Sequence, residues 1–192
     1  MTVTSPTNLV ANALRETARL HEQAAVESPA VVASVADALR AAFAADHKVL
    51  MFGNGGSALD AQHFAAELVG RFARERQALP AISLTTDTSI LTSVANDYAY
   101  ERVFARQVEA LGRAGDVAVG ISTSGTSANI LAGLKAAKAR GMTTVAFTGR
   151  DGGAIGAIVD VHVNVPHAVT ARIQEVHRSL IHAVCELVER DL

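Results

Sequence analysis

A chain of 192 residues, 49% hydrophobic and 19% charged, is long enough for one globular domain with a sizeable core. Its formal net charge of −2 offers no broad electrostatic footprint for nucleic acid, and no apolar run approaches the ~20 residues that cross a bilayer. Cys185 is the single cysteine, which excludes an intrachain disulfide and fits a reducing cytoplasm.

The opening MTVTSPTNLVANALRETARL lacks the basic start and apolar block of a signal peptide. Residues 1–46 read as a helical extension of two helices. Leu9, Val10, Leu14, Ala18 and Leu20 supply the apolar positions of the first. Ser28 followed by Pro29 gives the second an N-cap and a residue pre-set for the first turn. Two amphipathic helices ahead of the first strand have to pack on the later core or on another chain.

From Lys48 the pattern changes to short apolar runs rich in β-branched residues: KVLMFG, AISLTT, GDVAVGIS, MTTVAFTG and VDVHVNV. Helix-like stretches separate them. In NILAGLKAAKARG, Gly141 stands where a helix C-terminal glycine belongs, after Lys138 and Arg140. A long final helix runs through TARIQEVHRSLIHAVCELVERDL. The alternation predicts an α/β fold over residues 1–192, a three-layer sandwich around a mostly parallel five-stranded sheet. Ligands of such sheets bind beyond the carboxyl ends of the strands. That directs attention to GNGGS, TTDTS, ISTSGTS and FTGRDGG.

The first of these turns fits the loose dinucleotide fingerprint as Gly53-x-Gly55-x-x-Ala58. A nicotinamide site also needs an acid at the end of the next strand, about 20 residues on, and the first acid there is Asp87, well beyond that spacing. No lysine follows GNGGS, so it is not a P-loop. What remains is either a plain strand-to-helix turn or one whose backbone approaches a ligand, with Asn54 and Ser57 as polar contacts. In the second turn, Ser122, Thr123, Ser124, Thr126 and Ser127 offer more hydroxyls than the one needed for a helix cap. Hydroxyls and N–H groups at a helix N-terminus suit a phosphate monoester without Lys or Arg.

The helix predicted after the first turn carries Asp60, His63, Glu67 and Arg71 at helical spacing. His63 and Glu67 share a face about 6 Å apart along the axis, which fits a metal ion, a substrate atom or an ordinary surface pair. Gln174 and His182 on the last helix are ~12 Å apart along the axis and about 80° around it. His162, His167 and His177 read as partly buried helix residues, and spacing alone says the same of His182.

Three segments, GNGGSALDAQHFAAELVGRF, VANDYAYERVFARQVEALGRAGDVAVGISTSGTSANI and TARIQEVHRSLIH, resemble in order and spacing those of the phosphoheptose isomerases, single-domain members of the sugar isomerase (SIS) superfamily. The resemblance covers nearly all of the chain from Lys48 onward. It implies interconversion of sedoheptulose 7-phosphate and D-glycero-D-manno-heptose 7-phosphate, an early step toward nucleotide-activated heptose. It implies one zinc ion per subunit, held by His63, Glu67, Gln174 and His182. Sugar contacts would come from Asn54, Gly55, Gly56, Ser57, Asn96 and Asp97, with Glu67 and Gln174 also at the substrate. Ser122, Thr123, Ser124 and Ser127 would cradle the phosphate. Glu67 would be the base and His182 the acid/base at oxygen. The same resemblance implies a homotetramer with active sites at subunit interfaces, while the composition and charge above point to the cytoplasm and to no nucleic-acid or membrane partner. The alternatives are an isomerase of another sugar phosphate, or a non-catalytic SIS protein that binds a phosphosugar or a partner. The latter has no need of the His63, Glu67, Gln174 and His182 set.

Overall fold

The computed structural model describes residues 5–190. Helices α1 (Pro6–Glu27) and α2 (Pro29–Ala44) precede β1 (Val49–Gly53). Then come α3 (Gly56–Val69), β2 (Ala81–Ser83), α4 (Thr88–Asp97), a 3-10 turn at Tyr100–Arg102 and α5 (Val103–Leu111). The second half alternates β3 (Val117–Ser122), α6 (Ala128–Ala139), β4 (Thr143–Gly149), the short α7 (Gly153–Gly156), β5 (Val161–Val165) and α8 (Thr170–Arg190).

The strands form one sheet in the order β2-β1-β3-β4-β5, with every neighbouring pair parallel. Side chains alternate across it. Val49, Met51, Val117, Val119, Val145 and Phe147 join a core with Leu39 of α2, Phe64 of α3 and Val184 of α8. Leu50, Phe52, Ala118 and Ala146 face the other way, onto Phe104 of α5 and Ile130 and Leu134 of α6. Cover on both faces explains why β1 and β3 read as unbroken apolar runs, buried at every position. The strand order reverses between β1 and β3, so a crevice opens at their carboxyl ends.

The N-terminal helices depart from expectation in two details. Ser28 makes no side-chain cap to α2; its backbone is helical (φ −100°, ψ −13°), and its N–H bonds to the Ala24 carbonyl. An N-cap hydroxyl needs extended backbone to reach back, and here one residue both closes α1 and opens α2. Leu20 packs on Val165, Ile173 and Val176, but Leu9, Val10 and Leu14 are 62%, 57% and 66% exposed, because no core lies beneath the first half of α1. Gly141 does take the left-handed conformation after α6, with φ +72°. No described helix is long and apolar enough to cross a membrane.

Candidate active site

The first turn depends on its glycines. A Cβ on Gly53 would fall 2.5 Å from the Ser57 carbonyl oxygen, and Gly55 holds φ +56°, ψ −122° ahead of α3. A side chain on Gly56 would collide with the carboxamide of Gln174, so glycine admits that group over the start of α3. Ser57 is buried in the same turn.

Across the crevice, the Ser122 hydroxyl lies 2.9 Å from that of Ser127 and 3.4 Å from that of Ser124. Ser124 Oγ accepts from the Thr126 N–H at 3.2 Å and its hydroxyl at 3.1 Å, and Thr123 is half-buried beside them. The expected hydroxyl cap is not made. Ser127 occupies the N-cap position of α6, yet its side chain turns to Ser122 and leaves the first turn of the helix without a hydroxyl acceptor. Behind this loop, Gly125 (φ +67°) and Gly152 meet backbone to backbone, and the Ile155 N–H donates to the Gly125 carbonyl at 3.0 Å.

Two parallel helices bring the titratable groups together. On α3 and α8, Asp60 meets Arg178 and, one turn further along both helices, His63 meets His182. The two imidazole Nε2 atoms are 2.7 Å apart, and Glu67 Oε1 lies 3.4 Å from His63 Nε2. One ligand atom from each of His63, Glu67 and His182 falls within 4.8 Å of the other two. Burial holds His182 below the ordinary histidine range; His63 and Arg178 push the same way, and Glu67 opposes them. That shift favours the neutral ring, which has a lone pair to offer. Phe72 covers it from the side, ring centres 5.5 Å apart.

The remaining candidates sit on other elements. Asn96 and Asp97 end α4, exposed, and bond to each other at 2.9 Å. Arg71 lies outside α3, because the helix stops at Val69 and Gly70 follows; its side chain is 60% exposed beside Glu75. Of His162, His167 and His177, all read as helical, only His177 is on a helix, and it is fully buried; His162 sits on β5 and His167 follows that strand.

Several neighbours escaped the sequence reading. Asn129 pairs with Asn54, and Tyr100 reaches the same carboxamide. Arg178 donates through Nε and Nη2 to Asp60 Oδ1 at 3.1 and 2.6 Å. Glu189 accepts from the N–H groups of Phe72, Ala73 and Arg74 at 2.7, 2.8 and 2.9 Å, which anchors the segment carrying Phe72. Sequence held one usable signal for Asn129, its place directly after the hydroxyl-rich turn. The others follow from contacts distant in the chain.

The SIS domain family model matches residues 14–149. The phosphoheptose isomerase of Roseiflexus sp. (strain RS-1) is 59% identical over 166 residues, 86% of this chain and 84% of that protein. The chain belongs to the phosphoheptose isomerase family. Solved structures agree. A phosphoheptose isomerase from Neisseria gonorrhoeae superposes with a TM-score of 0.93 at 48% identity, spanning 97% of this chain and 100% of that one. One from Francisella tularensis gives 0.94 at 34% identity, again over 97% and 100%. Membership of the phosphoheptose isomerase family makes the protein an isomerase.

Proposed function

We propose that the protein interconverts D-sedoheptulose 7-phosphate and D-glycero-D-manno-heptose 7-phosphate through an enediolate, with Glu67 and His182 moving the protons. The observation that carries this reading is the convergence of His63, Glu67 and His182 within 4.8 Å, on α3, which starts at the crevice between β1 and β3, and on α8 packed beside it. Asn54, Gly55, Gly56 and Ser57 would contact the open-chain sugar, with Asn96 and Asp97 joining them. Ser122, Thr123, Ser124 and Ser127 would hold the phosphate. The start of α6, which Ser127 does not cap, supports that assignment, since the helix dipole favours an anion there.

Two imidazoles presenting Nε2 to one another, with a carboxylate beside them, are a donor set that fits zinc. Gln174 completes the proposed set as a neutral donor, and its place against Gly56 brings the same carboxamide to the sugar turn. One zinc ion per subunit, bound there, would supply a Lewis acid at the carbonyl oxygen. Glu67 turns Oε1 toward His63, which leaves Oε2 for a substrate proton. That oxygen removes a proton from C1 of the ketose and returns it to C2. With Nε2 turned to the metal site, His182 would give its Nδ1 proton to O2 and take the O1 proton in its place, so the ring ends as it began. Each transfer is worth ~10²–10⁴-fold in rate.

The protein would act as a cytoplasmic homotetramer with active sites at subunit interfaces, a reading supported by the exposed Leu9, Val10 and Leu14 on α1. Turnover assays on sedoheptulose 7-phosphate, with pentulose and hexulose phosphates as comparators, test the proposal. The heptulose phosphate is expected to be preferred, and activity to be lost on chelation and restored by zinc. Preference for a smaller sugar would overturn the substrate, and full activity after metal removal would overturn the zinc.

A further inference from the structure

We infer that Asn129 is a positioning residue that fixes which end of the Asn54 carboxamide faces the substrate. This inference rests on Asn54 contacting the sugar, as proposed above. The two side chains form a reciprocal amide pair: Asn54 Nδ2 donates to Asn129 Oδ1 at 2.8 Å, and Asn129 Nδ2 donates to Asn54 Oδ1 at 2.9 Å. Such a pair keeps both its hydrogen bonds if both amides are flipped together, so its polarity has to come from a third group.

The Ile130 backbone N–H is that group. It donates to Asn129 Oδ1 at 3.0 Å, and a flipped Asn129 would set a donor against a donor. The start of α6 therefore dictates the orientation of Asn129, and Asn129 dictates that of Asn54. Tyr100 adds its hydroxyl to Asn54 Oδ1 at 3.2 Å. With both lone pairs of that oxygen engaged and one of its two N–H groups donated to Asn129, the group left on Asn54 is an N–H. Asn129 is 4% exposed, so it has no solvent to exchange for these partners.

The consequence is chemical. Asn54 offers the sugar a donor, suited to an oxygen that gains negative charge in an enediolate and unsuited to a group that must donate. The pair also spans the crevice. It ties the turn after β1 to the helix that follows the hydroxyl-rich loop, so the orientation at the sugar is set from the phosphate side.

Two substitutions separate this role from a structural one. Asn129→Asp keeps an acceptor for the Ile130 N–H but offers Asn54 no donor, whereas Asn129→Leu removes both. If Asn129 sets polarity, both variants should lower kcat/KM by about tenfold or more, chiefly through kcat, while inhibition by inorganic phosphate stays within about twofold. Adding either to Asn54→Ala should cost little beyond Asn54→Ala alone. Near-normal activity in Asn129→Asp, or fully multiplicative losses, would overturn the inference.

A readout independent of turnover keeps it distinguishable from the proposed reaction. Side-chain ¹⁵N–¹H spectra of the wild type should show slowed hydrogen exchange for the paired Asn54 amide, lost in Asn129→Leu at a preserved Tm. Fast exchange in the wild type would overturn the pairing whatever the substrate. Slow exchange without heptulose turnover would keep the pairing, sink the proposed reaction and overturn the role assigned to Asn129 in it.

Discussion

His177 shows how one buried side chain writes a pH dependence into the fold. Its Nε2–H donates to the Thr148 carbonyl at 2.8 Å, while Nδ1 is buried without a partner. Burial pushes its pKa down to about 4, against upward pulls from the Thr148 bond and Asp60. Between that value and the ordinary 6.5, the unfolded chain takes a proton that the folded chain refuses, so stability falls as pH falls. By pH 5 this one group costs about 2 kcal/mol. Urea midpoints at pH 7 and pH 5 should therefore drop more in the wild type than in His177→Gln, whose amide does not titrate. Equal drops would show that another group controls the acid limb. In sequence, His177 was one of several helical-looking histidines. Only the fold distinguishes it, because its burial arises from β4 and α8 packing at a separation no local pattern carries.

At the scale of elements, the site is a matter of two helices held in register. Asp60 is 2% exposed, and Arg178 gives Oδ1 two hydrogen bonds while Oδ2 is buried without a partner. This pair lies one turn before His63 and His182, so it sets how far α3 and α8 slide past one another. Arg178→Leu would leave a buried carboxylate uncompensated and destabilise the fold by about 2–3 kcal/mol. A matching fall in the midpoint of unfolding is expected, together with weaker zinc binding. A variant as stable as the wild type would remove Asp60–Arg178 as the brace.

The helices themselves were legible in sequence, and so were the five strands, because periodicity and β-branched runs are local. Full burial of His177 and exposure of Arg71 were not. Gly70 ends α3 before Arg71, which sequence read as one more helical position. The hydroxyls of the second turn were legible as a group, but not their arrangement. Ser127 was expected to cap or to bind, and it bonds to Ser122. Asn129 looked like an ordinary helix residue, since its partner lies across the switch point of the sheet.

For the whole molecule, the apolar pattern of α1 is the feature the chain leaves unused. Leu9, Val10 and Leu14 are exposed, while a groove of about 730 Å³ beside the second half of α1 is lined by Ala24, Val32, Phe72, Val176 and Leu180. Sequence reading offered two homes for the first helix, the later core or another chain. Its second half takes the first, and the tetramer proposal gives the rest the second. Leu14→Glu is expected to convert the proposed tetramer to smaller species in light scattering. An unchanged mass would place the subunit contacts elsewhere.

The assignment of Glu67 as the base that moves a proton between carbons is tested most directly in ²H₂O. Wild type and Glu67→Gln would be compared, each shown to be folded and loaded with zinc. The wild type should place solvent deuterium at C2 of the heptose 7-phosphate, and Glu67→Gln should turn over at least about a hundredfold more slowly. Turnover by Glu67→Gln within a few-fold of the wild type would contradict the account.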